Sequence, residues 1–525
     1  MICLTLTAAT LQGWSDTLRA HGRHADLLEL RLDLLRRDER VVERVVAWAA
    51  GHSTAFDVVL TCRRATDYGT WDASETERCA LLSAVLTGMV GAQSALRPRY
   101  IDLELDRIGQ ADWTQLADTA GSYGVHVIRS EHLTALEQAP GGDPAAVLTA
   151  LAQEPHEIPK LAVAVRSLEE HCRLLERIDA AAATLGSRSR IVVAIGEFGV
   201  PSRLLPERYR SMWSYSSATD LAAAAAPGHL GPDVLAQTYR LGGRQHQAPT
   251  VLAVVGFPIA HSKSPQYHNA RLQETERSNA ARYVPVCART FAEFVRYADL
   301  VDIQGVSVTV PHKQAALAVA ATASDTARRA GAANTLVRRH DGSWYADNTD
   351  AEAAIRPLLD AGVDLAGPIA LIGAGGAARA IAVALQERAA DIWLFNRSPE
   401  RLSETAGALG LPAHRTGVLD QGRGLNAVAA GSGGKPGWSV VVQTTNVGMA
   451  PNDNADPAPQ FDPQTAKVVY DLIYTPAETR FLARARAAGC SVFNGAAMFA
   501  DQAAAQFTLF EARLQAMTDA NQSPA

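Results

Sequence analysis

The chain has few cysteines for its length, no long apolar run and no long run of basic residues. Its six cysteines are scattered over 525 residues, with no CxxC pair and no paired histidine spacing. This distribution argues against both a disulfide framework and a zinc site, so we expect reduced thiols, a cytoplasmic protein and no bound metal. No stretch reaches the roughly 20 apolar residues that a membrane-spanning helix needs, so a soluble protein is expected.

The overall charge is only mildly acidic. The formal net charge is −6, with 20% charged and 47% hydrophobic residues. Mild acidity without a Lys/Arg run argues against a nucleic acid or an anionic membrane as a partner. The first residues, MICLTLTAAT, lack the basic segment of a signal peptide. At this length we expect two or more domains.

Eight short β-like segments, separated by helical patterns, recur up to about residue 240. They begin near ICLTLT, DLLELRLDLL, DVVLTCR, RYIDLEL, YGVHVIRS, IPKLAVAV, RIVVAIG and SMWSYSS. This alternation predicts an α/β fold with an N-terminal (β/α)₈ barrel, although a doubly wound sheet shares the pattern. In LELRLDLL (28–35), leucines alternate with Glu29, Arg31 and Asp33, which predicts a single strand over these residues.

Charged residues share one face of several of these segments. Asp102 and Glu104 lie on the same face of IDLELD, and Lys160 lies on the same face as Ala162 and Ala164 in PKLAVAV. In a barrel one strand face meets the helices and the other faces the lumen, where charges must pair or bind a ligand. A lumenal lysine is a candidate Schiff-base nucleophile, and His132, near its strand end, a candidate general acid or base. Structural ion pairs are the alternative explanation, which recurrence over four or five strands disfavours.

The motifs LELR, TCR, SEH, PKLAV and GEFGVPSR, in this order over roughly residues 1–240, resemble type I 3-dehydroquinate dehydratase. The resemblance implies that Lys160 forms an imine with the substrate ketone. It also implies that His132 removes the adjacent proton and returns it to the departing hydroxyl. The residues that it implies for substrate binding are Glu29, Arg31, Arg63 and Arg203.

Three residues depart from the pattern of that family. Asp67 stands four residues after the TCR arginine, where the family usually has Glu. Ala225 is the first and His229 the last residue of the segment AAPGH. At these two positions the substrate-covering loop of the family, which usually reads Ser-Ala-Pro-Gly-Gln, has Ser and Gln. Because these positions lie near the substrate in the family, weaker or altered substrate binding is expected.

A strand followed by a glycine-rich turn and a helix marks a second type of fold near residue 370. In ALIGAGGAARA (370–380), Gly373, Gly375 and Ala378 match GxGxxA, where backbone N–H groups can meet a dinucleotide pyrophosphate. The next strand ends in FNRS instead of an acidic residue. Arg397 can pair there with a 2′-phosphate, so NADP is predicted rather than NAD.

The polar motifs from residue 250 onward, together with the glycine turn, resemble shikimate dehydrogenase. These motifs are GFPIAHSKSPQYHN, VSVTVPHK, GAANTL and DNTDAEA, each of which alone also fits caps and turns. The HSKSP and VSVTVPHK spellings resemble the plant-type bifunctional dehydroquinate dehydratase/shikimate dehydrogenase, which has the same domain order. The resemblance implies Lys313 and Asp350 as the catalytic pair, which moves a proton while hydride passes between nicotinamide C4 and substrate C3.

The same resemblance implies two sets of binding residues. Those for the substrate are Ser262, Ser264, Thr309, Asn334, Tyr474 and Gln502. Those for NADP(H) are Gly373, Ala374, Gly375, Gly376, Ala377, Asn396, Arg397, Ser398, Thr444, Gly495 and Met498.

We therefore expect a barrel at residues 1–240, a linker at 241–249, a shikimate-binding α/β lobe at 250–353 plus 490–520, and a Rossmann NADP-binding lobe at 354–489. The implied activities are dehydration of 3-dehydroquinate to 3-dehydroshikimate, then NADPH-dependent reduction to shikimate. Two alternatives stay open. One is a quinate/shikimate dehydrogenase with an impaired dehydratase half, and the other is a ligand-sensing regulator built from the same domains.

Overall fold

The computed structural model describes residues 1–107, 109–152, 157–218, 230–242, 248–277, 280–419, 424–426, 437–450 and 452–522. Packing divides the chain into two units. The first comprises Met1–Ala253 and Phe257–Ile303, and the second comprises Val254–Gly256 and Gln304–Ala525.

The first unit begins with eight parallel strands. These are β1 Ile2–Leu6, β2 Leu27–Arg31, β3 Phe56–Thr61, β4 Leu96–Glu104, β5 His126–Leu133, β6 Ile158–Ala164, β7 Ile191–Ile195 and β8 Ser214–Ser216. Their order is β7-β6-β5-β4-β3-β2-β1-β8. A parallel bridge between Arg190 and Ser211 links the segments that precede β7 and β8. The predicted (β/α)₈ barrel is confirmed.

Helices follow the barrel strands and cover their outer faces. They are α1 Leu11–His21, α2 Val42–Ala50, α3 Glu75–Gly91, α4 Ala111–Ser122, α5 Pro144–Ala150, α6 Leu168–Leu185 and α7 Val200–Leu204. The start of α3 has a complete capping box, in which Ser74 and Glu77 satisfy each other's backbone N–H groups.

The two faces of the barrel strands carry different residues. Leu28 and Leu30 of β2 join the large apolar cluster under the helices. Leu27 of the same strand joins a separate cluster with Cys3 and Ile191, which alternation places inside the barrel. Polar side chains follow on the inner face toward the carboxyl ends of the strands, the end at which TIM-barrel enzymes hold their active sites.

The predicted strand over residues 28–35 is wrong beyond Arg31. Strand β2 ends there, and Leu32–Leu34 forms a 3₁₀ turn. In a continuous strand, side chains two residues apart would stand nearly 7 Å from each other. The turn instead brings the Asp33 carboxylate back to the Arg31 guanidinium, which donates two hydrogen bonds to it at 2.9 and 2.8 Å.

The first unit continues past the barrel. It includes most of β9 (Thr250–Gly256), α8 (Ser264–Glu274), β10 (Ala281–Cys287) and α9 (Phe291–Leu300). Arg282 of β10 is buried and donates to the carbonyls of Leu204 at 2.6 Å and Tyr239 at 3.1 Å. It also pairs with Glu207 at 3.0 Å. These contacts join β10 to the segment that follows α7.

In the second unit, a small mixed sheet precedes a parallel one. Four of its six strands are β11 Ile303–Val308, β12 Thr322–Ala323, β13 Thr335–Arg338 and β14 Trp344–Asp347. The helices in this part of the chain are α10 Lys313–Val319, α11 Asp325–Ala330 and α12 Asp350–Asp360. Strand β13 pairs antiparallel with β11 and β14, while β12 pairs parallel with β14.

The remaining strands form a parallel sheet in the order β17-β16-β15-β18-β19-β20. They are β15 Pro368–Ile372, β16 Asp391–Asn396, β17 Thr416–Val418, β18 Trp438–Gln443, β19 Ala466–Asp471 and β20 Ser491–Phe493. The helices are α13 Gly376–Gln386, α14 Pro399–Ala408, α15 Arg480–Ala487 and α16 Ala496–Gln522. In sequence terms the order is 3-2-1-4-5-6, which is the Rossmann order. The predicted Rossmann lobe is confirmed.

Candidate active sites

A buried carboxylate lies on the inner face of the barrel. Glu29 of β2 accepts hydrogen bonds from the hydroxyls of Thr5 at 2.8 Å and Thr61 at 3.0 Å. Arg31 stands two residues further along the same face, paired with Asp33. Both Glu29 and Arg31 are buried. Because hydrogen bonds hold both side chains in place, they can bind a polar ligand without first reorganising.

Lys160 projects from β6 into the same space. Its Nζ donates to Asp102 Oδ2 at 2.7 Å and lies 4.5 Å from the centre of the Tyr215 ring. Asp102 also accepts from Arg63 at 3.0 Å and from Ser130 at 2.5 Å. Although burial alone would raise the pKa of Asp102, the charges of Lys160 and Arg63 lower it below its ordinary value. The Asp102 carboxylate thus contacts both the Lys160 amine and the Arg63 guanidinium.

His132 lies near the end of β5, next to Arg63. The guanidinium of Arg63 contacts the imidazole, with Nη1 2.7 Å from Nδ1. Burial, together with the charges of Arg63 and Lys160, lowers the pKa of His132 well below its ordinary value. The imidazole is therefore neutral near neutral pH and able to accept a proton.

Arg203 of α7 is a buried cation that faces the same pocket. It is only 3% exposed, and its Nε has no hydrogen-bond partner among the described residues. Burial lowers the pKa of Arg203 to about 10. A buried guanidinium with an unsatisfied donor is costly, and a carboxylate ligand would satisfy it.

These side chains line one pocket. It is lined by Thr5, Glu29, Arg31, Arg63, Asp67, Tyr68, His132, Lys160, Ala162, Val193, Ile195, Arg203 and Tyr215. All six residues implied for the dehydratase therefore line one cavity. Asp67 also lines it and accepts a hydrogen bond from Arg64 at 2.7 Å. Ala225 and His229 lie outside the described residues.

A second lysine–aspartate pair lies in the second unit. Lys313 is the first residue of α10 and Asp350 the first of α12, and Lys313 Nζ lies 2.5 Å from Asp350 Oδ2. Asn334 donates to Asp350 Oδ1 at 2.9 Å, and Asn348 accepts from the Asp350 amide at 3.1 Å. Asp350 is buried, whereas Lys313 keeps part of its surface exposed. The partly exposed amine can exchange a proton with a ligand while the carboxylate orients it.

Helix α16 borders this pair. Gln502 Oε1 lies 3.5 Å from Asn334 Nδ2. Four residues later, Gln506 donates to the Asn334 carbonyl at 2.9 Å and accepts from the Ser307 hydroxyl at 2.7 Å. Two glutamines on one helix face thus hold Asn334, which in turn holds Asp350. The ring of Tyr474 lies 5.0 Å from that of Phe499 on the same helix.

The other residues implied for the second substrate are placed as follows. Ser264 opens α8 in the first unit, and its amide donates to the Ser262 hydroxyl at 3.3 Å. Thr309 follows β11 in the second unit, where its amide donates to the Val255 carbonyl at 3.0 Å.

The glycine-rich turn after β15 fits a dinucleotide pyrophosphate. Gly373 has a φ of +121°, and a Cβ there would lie 2.4 Å from Thr444 Oγ1, so the position requires glycine. Around Gly375, in contrast, the space for a Cβ is open. Helix α13 begins directly afterwards at Gly376, where the first-turn N–H groups lack intrahelical partners. Ala374 lies in the turn and Ala377 in the first turn of α13, so this segment places donors and open space where a phosphate would bind.

The other implied cofactor residues lie at carboxyl ends of strands in the same sheet. Asn396 ends β16 and is followed by exposed Arg397 and by Ser398, which caps α14. After β18, Thr444 donates to the Ile372 carbonyl at 2.8 Å. Gly495 and the buried Met498 follow β20. A Cβ at Gly495 would lie 1.9 Å from the Leu472 carbonyl oxygen. This is the edge at which doubly wound sheets bind ligands.

Four further residues contact the candidate site residues, although the sequence assigned them no catalytic or binding role. They are Asp102, Ser130, Tyr215 and Gln506. The alternation in IDLELD marked Asp102 as a lumenal charge but could not rank it above Glu104. Glu104 instead forms a buried ion pair with Arg78 of α3 at 2.8 Å.

Two other kinds of feature are absent from the described part of the chain. None of the helices there combines the length and the apolar composition that crossing a membrane requires. No group of three or more His, Cys, Asp or Glu side chains among the described residues could hold a metal ion.

Family models match two segments of the chain. Residues 2–246 match the model described as type I 3-dehydroquinase. Residues 254–336 match the shikimate dehydrogenase substrate binding domain.

Individual relatives cover either one half or nearly the whole chain. A shikimate dehydrogenase (NADP(+)) of Moorella thermoacetica is 39% identical over 271 residues, which are 50% of this chain and 88% of that protein. The bifunctional 3-dehydroquinate dehydratase/shikimate dehydrogenase, chloroplastic, of Arabidopsis thaliana is 27% identical over 97% of this chain and 82% of that protein. A crystal structure of shikimate 5-dehydrogenase from Thermus thermophilus with NADP(H) and shikimate is 34% identical, covers 50% of this chain and 93% of that chain, and gives a TM-score of 0.42.

Proposed function

This chain belongs to the shikimate dehydrogenase family, and from that premise we propose that it catalyses two consecutive steps of the shikimate pathway. The first is the dehydration of 3-dehydroquinate to 3-dehydroshikimate, in keeping with the type I 3-dehydroquinase match over residues 2–246. The second is the NADPH-dependent reduction of 3-dehydroshikimate to shikimate. The chain is thus a lyase and an NADP-dependent oxidoreductase. Having both sites in one chain raises the local concentration of the shared intermediate.

In the dehydratase, Lys160 attacks the substrate ketone and forms an imine with loss of water. The imine withdraws electrons from the neighbouring carbon, from which His132 takes a proton that it later returns to the departing hydroxyl. Two observations support these roles: both side chains line one pocket, and the lowered pKa keeps His132 able to accept a proton.

Substrate binding in the barrel uses three arginines and one carboxylate. Arg203 binds the substrate carboxylate, since it lines the pocket and its buried guanidinium has an unsatisfied donor. Glu29, Arg31 and Arg63 bind the hydroxyls, because all three are buried, lie on the pocket wall and are held in place by hydrogen bonds.

In the dehydrogenase, Lys313 gives a proton to the carbonyl oxygen of 3-dehydroshikimate, and Asp350 orients the amine and balances its charge. NADPH supplies the hydride when bound. The proposed substrate ligands are Ser262, Ser264, Thr309, Asn334, Tyr474 and Gln502.

For the cofactor, the turn at residues 373–377 binds the pyrophosphate and Arg397 the 2′-phosphate. The space at Gly375 and the exposure of Arg397 support this assignment. Asn396 and Ser398 bind the adenosine end with Arg397, while Thr444, Gly495 and Met498 lie near the nicotinamide.

The proposed functional boundaries are a dehydratase at 1–240, a linker at 241–249, a substrate lobe at 250–353 plus 490–520, and an NADP lobe at 354–489. We propose a cytoplasmic location, because the six cysteines are free thiols, five of them buried. The partners are the small-molecule substrates. No nucleic-acid or membrane partner is proposed, given the net charge of −6.

The observation that carries the dehydratase proposal is the presence of Lys160, His132 and unsatisfied Arg203 in one pocket. Its test is to supply 3-dehydroquinate and NADPH to the full chain and to follow loss of NADPH absorbance with formation of shikimate. In parallel, borohydride reduction in the presence of 3-dehydroquinate should leave a reduced adduct on Lys160, located by peptide mass spectrometry.

The same assays separate the alternatives. Reduction of added 3-dehydroshikimate without turnover of 3-dehydroquinate would indicate an impaired dehydratase half. Faster turnover of quinate than of shikimate with NADP⁺ would indicate a quinate enzyme. Binding of these ligands without any turnover would refute both proposed activities and favour a ligand-sensing regulator.

A further inference from the structure

Two polar side chains with no proposed role lie fully buried at neighbouring strand ends of the Rossmann sheet. Gln443 ends β18 and Asp471 ends β19, and the two residues are direct partners in the parallel pairing. Both are 0% exposed, and Gln443 Nε2 lies 3.5 Å from Asp471 Oδ1. Burying an amide and a carboxylate is costly unless both are hydrogen-bonded. Their partners therefore show which parts of the structure they stabilise.

Gln443 closes the loop that follows its own strand. Its Nε2 donates to the carbonyls of Thr445 and Val447, both at 3.1 Å, and its Oε1 accepts from the Thr445 amide. One side chain thus fixes the course of residues 445–447 at the start of the loop 444–449. Thr444, which is proposed to lie near the nicotinamide, is the first residue of that loop.

Asp471 closes the next loop in the same way. Its carboxylate accepts from the Ile473 amide at 3.0 Å and from the Thr479 hydroxyl at 2.6 Å. Thr479 in turn caps α15 by accepting from the Leu482 amide at 3.3 Å. The segment between these anchors contains Tyr474, a proposed substrate ligand.

The two loops are also joined directly, because the Ala450 amide donates to the Thr475 carbonyl at 3.3 Å. Burial raises the pKa of Asp471 to about 6, and Asp456, which is itself paired with Arg484, adds to this rise. At this pKa most of the Asp471 carboxyl is still ionised at pH 7, where the hydrogen bonds that it accepts are charge-assisted.

We propose that Asp471 and Gln443 are positioning residues of the dehydrogenase, which together hold the loops carrying Thr444 and Tyr474 at one fixed separation. This inference rests on the proposed function, in which Thr444 lies near the hydride donor and Tyr474 contacts the acceptor. A displacement of about 1 Å between reacting groups can cost about 100-fold in rate. The phosphate-binding turn is formed by the end of β15 and the start of α13, so loosening these loops lowers kcat more than it lowers NADP(H) affinity.

The experiment uses the full chain with the substitutions Asp471→Asn, Thr479→Val and Thr479→Ser. Asn keeps the shape of Asp471 without its charge, Val removes the hydroxyl of Thr479, and Ser restores that hydroxyl. The matched control is Trp438→Phe, which removes a buried hydrogen bond to the Leu425 carbonyl (3.1 Å) at the opposite end of β18. The measurements are dehydrogenase kcat, the dissociation constant of NADPH, and the isotope effect with NADPH deuterated at the transferred position.

Asp471→Asn and Thr479→Val should each lower kcat by about tenfold or more, change the NADPH dissociation constant by less than about threefold and increase the isotope effect. Thr479→Ser and Trp438→Phe should keep kcat within about twofold. Loss of kcat in Trp438→Phe equal to that in Asp471→Asn would show a general effect of stability and overturn the inference.

If Asp471→Asn does not fold, Thr479→Val and Gln443→Met decide the question. Wild-type kcat in those two variants would overturn the inference, whereas a restored kcat in Thr479→Ser beside a low one in Thr479→Val supports it. A wild-type protein that fails to reduce NADP⁺ with shikimate would refute the proposed function itself, so the two failures are distinguishable.

Discussion

The Nζ of Lys160 lies 2.7 Å from Oδ2 of Asp102, and both side chains are buried in the barrel pocket. The same carboxylate accepts from Arg63, which contacts His132. Asp102 therefore stands at the centre of the arrangement, although it has no proposed bond to make or break. Its effect is to hold both the proposed nucleophile and, through Arg63, the proposed acid–base group.

Asp102→Asn should lower dehydratase kcat by about 10- to 100-fold, the range typical when an outer supporting group is removed. The amide keeps the shape of the side chain but not the charge that orients Lys160 and Arg63. The matched control is Glu104→Gln on the same strand, because Glu104 is also buried but pairs with Arg78 instead. Equal losses of kcat in the two variants would contradict a specific role of Asp102.

Lys160→Ala should lower dehydratase kcat by at least about a thousandfold, as expected when a covalent nucleophile is lost. It should also abolish the borohydride adduct. The dehydrogenase activity of the same preparation reports that the rest of the chain is folded and should stay unchanged. Lys467→Ala, which removes an exposed lysine of β19, should leave the adduct in place. An adduct of equal yield in Lys160→Ala would place the imine on another residue.

The pH dependence of the dehydratase should reflect the lowered pKa of His132. A general base is lost when it becomes protonated, and an ordinary histidine would be half protonated at pH 6.5. Since burial and two neighbouring cations lower the pKa of His132, kcat/KM for 3-dehydroquinate should stay level as the pH falls through 6.5. It should decline only at more acidic pH. An acid limb with its midpoint at or above 6.5 would contradict this prediction.

In the second site, Asp350→Asn should lower dehydrogenase kcat by about 10²- to 10⁴-fold, the usual contribution of acid–base catalysis. Lys313→Met should have a similar effect. Because the two side chains form one pair at 2.5 Å, the double variant should be little worse than either single one. Dehydratase activity, measured on the same samples, should be unaffected. Additive losses in the double variant would indicate that the two groups act independently.

The general architecture follows from sequence periodicity because it depends on repeated, local patterns. Eight short β-like segments alternate with helical patterns over residues 1–240, and the Gly373 turn combines a strand, a positive φ and a helix start. The end of a strand is less predictable. In LELRLDLL the alternation continues past Arg31, but a buried ion pair with Asp33 is formed by turning the chain there.

The site residues follow from the sequence only where a motif marks them. Asp102 and Glu104 have the same parity, and only the three-dimensional neighbours separate them: Lys160 for the first and Arg78 for the second. Gln506 carries no signal at all, since a lone glutamine in a long helix is usual. Its importance depends on Asn334, which is 172 positions away in the chain.

The choice between the two nicotinamide cofactors provides a final prediction. Arg397 follows β16 and is exposed, so its guanidinium is available to a 2′-phosphate at the edge of the sheet. A charge-assisted hydrogen bond contributes roughly 1.5–3 kcal/mol, so Arg397→Ala should raise the KM for NADP⁺ by about 10- to 100-fold. The KM for NAD⁺ should change little, because NAD⁺ lacks that phosphate. Arg388→Ala, which removes an arginine paired with Glu352, should leave both values unchanged. Equal increases of KM for the two cofactors in Arg397→Ala would mean that Arg397 shapes the turn and does not recognise the phosphate.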